Sequence, residues 1–367
     1  MALAPLNQIP ACIVAVDDYI PYAKERMSEH AWSYFSGGVA DEHLLSENQS
    51  AWQQYKVLPR ILNDFKGANT DFTLLGKEHA FPILCAPVAY QKMAHPDGEF
   101  ASALAAAAMQ TPYIISMQSS MPLSILCEQA PGTKWLQWYW QTDQSASQRL
   151  LTEAVNLGVE AIVLTVDAPV NGIRNREQRI GFSLPADVEA VLLKDFCIEQ
   201  PPIGMPGESP LFGSHFLASA PTWEMVEKFI STSPLPVLLK GVINPLDAKK
   251  AIQSGAAGIV VSNHGARVLD IMPPTATTLK DICEVVDGRI PILVDGGIRR
   301  GSDVFIALAL GATAVMIGRP YIWAAATAGA SGVAHILHIL RTELEVTMAL
   351  TGCRNLQEIK DVELINK

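Results

Sequence analysis

Ala257-Gly258-Ile259-Val260-Val261-Ser262-Asn263-His264-Gly265-Ala266-Arg267 is an apolar run that turns abruptly polar. Its first half is short, β-branched and uninterrupted, the pattern of a strand buried on both faces, as in a parallel sheet. Ser262 to Arg267 then sit at that strand's C-terminal end, where α/β folds keep their chemistry. His264 carries a side chain whose ordinary pKa lies near neutrality, and Arg267 offers a planar fork suited to a carboxylate. A base beside an anion clamp points to a small acid as substrate. Taken alone, the histidine fits equally well as a strand-end residue that satisfies backbone groups.

Working outward, the same rhythm recurs from Ala80 on: short apolar strand, turn, helix. The pattern predicts strands over Phe81–Ala86, Pro112–Ser116, Lys134–Tyr139, Glu160–Val166, Pro236–Lys240, Ala257–Ser262, Ile290–Asp295 and Thr313–Gly318. Helices are predicted over Gly98–Met109, Asp143–Leu157, Pro221–Ser231, Pro245–Gln253 and Gly301–Leu310, several opening on a proline or an Asp/Ser/Thr cap and closing at glycine. Eight strands alternating with helices indicate an α/β fold, a (β/α)8 TIM barrel. The whole chain, 1–367, reads as one domain: an N-terminal helical extension over 1–79, broken near Tyr34-Phe35-Ser36-Gly37-Gly38, and a barrel over 80–350. After the fourth strand, residues 179–220 are rich in proline and glycine, as in Gln200-Pro201-Pro202-Ile203-Gly204-Met205-Pro206-Gly207. A loop that long inside a barrel is expected to be a lid or a binding loop.

Composition narrows the partners. Of 367 residues, 49% are hydrophobic and 17% charged, which suits a sheet covered on both faces. The net charge of −10 argues against nucleic acid and against anionic lipid, so an anionic substrate has to be drawn in by locally placed arginines. The six cysteines show no C-x-x-C and no Cys/His cluster, so they are expected to be reduced core thiols, with no disulfide framework and no metal site. No secretory signal is evident, and apolar runs such as Phe305–Ile317 are too short for a bilayer. A soluble, cytoplasmic protein is expected.

In a barrel the strand ends converge on one mouth. Here they carry Ala86-Pro87-Val88-Ala89, Ser116, Gln137 with Tyr139, Thr165 with Asp167, Lys240, Ser262 with His264 and Arg267, Asp295-Gly296-Gly297, and Gly318-Arg319. Eight polar strand ends in phase form a site more readily than a packing pattern. Asp295-Gly296-Gly297-Ile298-Arg299-Arg300-Gly301 after the seventh strand and Gly318-Arg319-Pro320 after the eighth occupy the barrel's usual phosphate position. No G-x-G-x-x-G opens a strand–turn–helix unit, which disfavours a dinucleotide fold. A phosphate at one side with polar strand ends beneath suggests a flat cofactor across the mouth. Lys240 would face its ring as a fixed cation, although a Schiff base or a plain ion pair also fits a lone lysine there.

Gln91-Lys92-Met93-Ala94-His95-Pro96, Lys240-Gly241-Val242, Ser262 to Arg267, Asp295 to Val304 and Gly318-Arg319-Pro320 together resemble the FMN-dependent 2-hydroxy acid oxidases and dehydrogenases, such as glycolate oxidase, lactate oxidase and mandelate dehydrogenase. The resemblance extends from Tyr19 to Ile359. It implies non-covalent FMN, oxidation of an (S)-2-hydroxy acid to the 2-oxo acid, and often a tetramer. It also implies His264 as base, Asp167 as the carboxylate that pairs with the imidazolium, Tyr139 near the substrate hydroxyl, and Tyr34, Arg174 and Arg267 around the substrate carboxylate. FMN contacts are implied at Pro87, Val88, Ala89, Ser116, Gln137, Thr165, Lys240, Ser262, Asp295, Gly296, Gly297, Arg299, Gly318 and Arg319.

One position departs from the short-chain oxidases. Met117-Gln118-Ser119-Ser120-Met121 has no aromatic residue two positions after Ser116, so a pocket wider than that for glycolate is expected. Dioxygen, reduced to hydrogen peroxide, is favoured as acceptor because no haem domain is fused and the 179–220 segment lacks an apolar docking helix. Three alternatives stand beside this reading. One is a soluble dehydrogenase that passes electrons to a quinone or carrier protein. Another is a nucleotide enzyme of the inosinate dehydrogenase kind, which needs a nucleophilic cysteine on a mouth loop, whereas Cys85 and Cys283 fall in a predicted strand and helix. The third is a flavin-binding barrel without catalysis.

Overall fold

The computed structural model describes residues 2–197, 207, 209–212 and 215–366. Eight parallel strands close into a barrel in sequence order: β1 Ile83–Cys85, β2 Tyr113–Ile115, β3 Lys134–Tyr139, β4 Ala161–Thr165, β5 Val237–Val242, β6 Gly258–Val261, β7 Ile292–Val294 and β8 Ala314–Ile317. β8 pairs with β1 through Val315↔Ile83 and Ile317↔Cys85 to complete the ring. Every predicted strand is present, most trimmed by a residue or two at each end. The exceptions are β3, which keeps its predicted bounds, and β5, which runs past Lys240 to Val242 across a bulge. The apolar runs do not alternate because both faces are buried. Leu84, Ile114, Val163, Leu238, Val260 and Met316 fill the barrel, while Ile83, Ile115, Ile162, Leu239, Ile259 and Val294 face the helices.

The predicted helices form as Gly98–Ala108, Gln144–Asn156, Trp223–Thr232, Pro245–Gln253 and Gly301–Ala309. Their caps act as the residue types suggest: Asp143, Thr222 and Asn244 each accept a backbone N–H of the first turn. The helix Arg319–Thr351 is long and apolar enough by composition to cross a membrane, but 72% of its most apolar window is buried. It bends where Gly329 takes φ 56°, a left-handed conformation whose missing side chain leaves room for the His95 ring.

Two expectations need correction. The 1–79 extension is not wholly helical. Helices at Tyr19–Arg26, Glu29–Ser36 and His43–Ser50 are followed by a strand at Tyr55–Val57, which pairs with Leu364–Asn366, and by a hairpin of Phe72–Leu74 with Lys77–His79. That hairpin buries Leu74 against the barrel interior and closes the end opposite the mouth, a role that only tertiary packing reveals. The cysteines are all free, but only Cys85 and Cys353 are buried, and Cys12 and Cys197 are exposed. Of the expected lid, residues 198–206 lie outside the described residues. The part before them docks on the mouth: Val191 N donates to Ser119 O at 2.9 Å, and Phe182 stacks on Tyr34 with ring centroids 5.4 Å apart.

Candidate active site

The loop after β6 presents His264, the expected base. His264, Gly265 and Ala266 are consecutive left-handed residues, with φ 57°, 61° and 59°. Such a run is costly outside glycine and persists only where surrounding contacts over-determine it. Asn263 supplies those contacts. It is fully buried, its Oδ1 accepts from Ala266 N at 3.2 Å, and its amide pairs reciprocally with Asn48 at 2.8 and 3.0 Å. The turn aims His264 Nδ1 at Asp167 Oδ1, 2.9 Å away. An ionised carboxylate can only accept, so Nδ1 carries the proton and Nε2 keeps its lone pair. Tyr139 stacks on the imidazole with planes 13° apart, and its hydroxyl lies 3.4 Å from Nε2.

Electrostatics leave this histidine ready to accept a proton. Burial pushes its pKa below 6.5, and Lys240 and Arg267 push the same way against the opposing pull of Asp167. For Asp167, burial raises the pKa, but the charge and hydrogen bond of His264, together with Lys240, outweigh it and hold the carboxyl low. Its second oxygen, Oδ2, is buried without a hydrogen-bond partner among the described residues. Gly241, at the β5 bulge with φ 105°, makes room for that carboxylate, because a Cβ there would collide with Asp167 Cβ and Cγ.

The mouth floor is a polar ladder across neighbouring strand ends, all of it buried. Gln137 Oε1 accepts from Ser116 Oγ at 3.3 Å and Met117 N at 3.2 Å, and its Nε2 donates to Thr165 Oγ1 at 3.1 Å. Lys240 Nζ donates to Ser262 Oγ at 3.1 Å and lies 3.4 Å from Asp295 Oδ2, while Ser262 Oγ donates to Asp295 Oδ1 at 2.6 Å. Lys240 is therefore a fixed cation with a counter-ion, the ion-pair form of the sequence expectation. Pro87, Val88 and Ala89 follow β1 at the rim, and a Cβ on Gly318 would have only Val88 within reach, at 3.9 Å.

The phosphate candidates divide. Arg319 donates to Gly265 O at 2.8 Å and Gly37 O at 2.6 Å, while Arg299 lies over the Trp323 ring at 4.9 Å and reaches Asp17 Oδ1 at 3.5 Å. The Nε–H of each is buried with no hydrogen bond among the described residues. Burial pushes Arg299 down to about 10 and Arg319 well below its ordinary value, the latter further depressed by Arg267 and Arg299. Such under-compensated cations with unspent donors suit a phosphate dianion, and the adjoining ladder and lysine suit a flat polar ring, so the residues fit FMN. Gly296 and Gly297 also have positive φ, and the missing side chain of Gly297 makes room for the Asn48 backbone of the extension.

Arg267 and Arg174, the arginines expected around a substrate carboxylate, lie together on one acidic residue. Arg267 donates to Tyr34 O at 2.5 Å and Gly37 O at 3.1 Å and sits over the Tyr34 ring at 4.9 Å. Arg174, the residue just before the short helix Asn175–Arg179, shares Glu177 with it. Gln118 is half-buried beside Tyr90, whose N–H donates to Gln118 O at 3.2 Å, and the Tyr90 ring is 6.0 Å from that of Tyr34. Sequence reasoning did not single out Glu177, Asn48, the Gly37 carbonyl, Tyr90 or Phe182. Only Glu177 left a signal, as an acidic residue three positions after Arg174, at helical spacing.

This geometry stands beside close relatives. At 42% identity, the chain matches an L-lactate oxidase of Roseobacter sp. (strain GAI101), covering 98% of this chain and 96% of the relative. It is 40% identical to the glycolate oxidase of Spinacia oleracea over 95% of this chain and 94% of that one. A solved mandelate oxidase with (S)-2-phenylpropionate superposes with a TM-score of 0.87 at 38% identity, covering 96% and 98% of the two chains. The FMN-dependent dehydrogenase family model matches residues 23–366, so the match spans the whole barrel and the extension from residue 23 on, and the chain belongs to that family.

Proposed function

We propose that the protein oxidises a small (S)-2-hydroxy acid to the 2-oxo acid, with dioxygen as the acceptor and hydrogen peroxide as the second product. The observation that carries this is the convergence of an Asp167-paired, neutral His264 with two largely buried arginines on one mouth. Arg174 and Arg267 hold the carboxylate, which places C2 and its hydroxyl against His264 Nε2 and Tyr139. Oxidation removes two electrons and two protons from the carbinol; His264 Nε2 takes a proton, and Asp167 stabilises the imidazolium that results. FMN, held by Lys240, the ladder from Ser116 to Asp295 and the two arginines Arg299 and Arg319, would supply the two-electron acceptor, and the electron pair and both protons would end on dioxygen as hydrogen peroxide. Lys240 is placed to stabilise negative charge that develops beside it. The relatives' names, L-lactate oxidase, glycolate oxidase and mandelate oxidase, support dioxygen over a carrier protein. A cytoplasmic homotetramer is the finer reading, and it rests on composition and family resemblance.

His264→Gln should keep FMN bound yet show no anaerobic bleaching with substrate; rapid bleaching of that variant overturns the assignment. In an oxygen electrode the wild type should consume dioxygen and form peroxide, with higher kcat/KM for lactate or a bulkier hydroxy acid than for glycolate. Turnover seen only with an artificial carrier would move the reading to a dehydrogenase.

A further inference from the structure

Two guanidiniums that converge on one carboxylate repel each other before it arrives, and something must hold them. In this chain Glu177 does so. It lies on the short helix Asn175–Arg179, with Oε1 3.3 Å from Arg267 Nη2 and its two oxygens 3.4 and 3.3 Å from Arg174 Nη1. All three side chains are largely buried, at 12% exposure for Glu177, 15% for Arg267 and 19% for Arg174. The arginines are not saturated. Arg267 spends Nη1 on two backbone carbonyls, and the Nε–H of Arg174 is buried without a partner among the described residues. Burial, then Arg174, pushes the Arg267 guanidinium below its ordinary pKa, as expected of like charges held close.

The charge count follows. Two guanidiniums and one carboxylate leave a single positive charge, which one substrate carboxylate neutralises. A second carboxylate on the substrate would be desolvated with no charge left to meet it. We propose that Glu177 is a positioning residue that holds Arg174 and Arg267 together and sets this site's charge to match a monocarboxylate, so that 2-hydroxy acids with a second carboxylate are rejected. The proposal rests on the functional reading above and deepens it by naming the substrate class.

The test titrates the FMN-loaded wild type, Glu177→Gln and Glu177→Asp with propanoate and with succinate at about pH 7.5. Neither ligand has a hydroxyl to oxidise, and binding is read from the perturbed flavin absorption spectrum. The wild type should bind propanoate more tightly than succinate. Glu177→Gln, which keeps shape and removes charge, should shift that ratio on the order of ten-fold towards succinate. Glu177→Asp, which restores the charge, should hold it close to the wild-type value. The kcat/KM ratio of (S)-malate to (S)-lactate should rise in parallel in Glu177→Gln. An unchanged ratio in Glu177→Gln, an equal shift in Glu177→Asp, or a wild type that prefers succinate each overturns the proposal, and the last needs no variant to fold. A wild type that oxidises no hydroxy acid would sink the functional reading, while the two-ligand titration would still decide this one.

Discussion

His264 works as a base at neutral pH only if it is unprotonated before substrate binds, and its surroundings arrange this by outweighing its own counter-ion. Burial and Lys240 lower its pKa, and Asp167 raises it by less. The acidic limb of kcat/KM should therefore rise through an apparent pKa below 6.5 and be flat above it. Asp167→Asn removes the raising influence, so the limb should move to still lower pH. The same change leaves the imidazolium without a partner, so kcat should fall by about 10²–10⁴-fold, the usual scale of general base catalysis. Rates measured across about pH 4.5–8 give both results, and a limb that moves upward would show that Asp167 is not the dominant charge on the ring. The two residues were legible as polar strand ends, and their pairing only through the family resemblance. Its tautomer was not, because that depends on which oxygen faces which ring nitrogen.

The catalytic loop cannot hold its left-handed turn unaided, and the element that holds it comes from the other end of the chain. Asn48, in the helix His43–Ser50, exchanges two hydrogen bonds with Asn263, while Val39 N donates to Ala266 O at 2.8 Å and Ala40 N to Ile173 O at 2.7 Å. The extension thus straps together the two loops that carry His264 and Arg174. Asn48→Ala removes two of the buried Asn263 amide's hydrogen bonds, leaving those with Ala266 N and Pro273 O, and should cost about 1–3 kcal/mol in a denaturant titration. A loosened loop should also lower kcat, and full activity in a destabilised variant would confine Asn48 to a stability role. In the sequence this region showed only helical period and a glycine break. The eight strands were legible because each is a compact apolar run with a polar end, a local signal. The strap, the hairpin plug and the Gly37 carbonyl shared by Arg267 and Arg319 depend on tertiary contacts, some of them between residues more than two hundred positions apart, and no local pattern encodes them.

Across the whole molecule, a chain with ten excess negative charges concentrates uncompensated positive charge at one end of its barrel. Arg319 takes two backbone carbonyls and, among the described residues, no carboxylate hydrogen bond, and Arg299 has only exposed Asp17 as an ion-pair partner. Burying such cations costs free energy that a bound anion recovers, so folding and cofactor binding should be linked. FMN at about a hundred times its Kd should stabilise the stripped protein by about 2.7 kcal/mol, which should be visible as a higher Tm. Riboflavin has the same ring and no phosphate. If Arg299 and Arg319 hold the phosphate, riboflavin at the same concentration should raise Tm far less, and inorganic phosphate should raise it partly by itself, while sodium chloride at equal ionic strength should not. Equal stabilisation by riboflavin and FMN would place the binding free energy in the ladder from Ser116 to Asp295 and take the phosphate role away from the two arginines. Arg319→Lys sharpens the comparison: a lysine keeps the charge but loses the fork that reaches Gly265 and Gly37, so FMN should still stabilise the variant while its advantage over riboflavin shrinks.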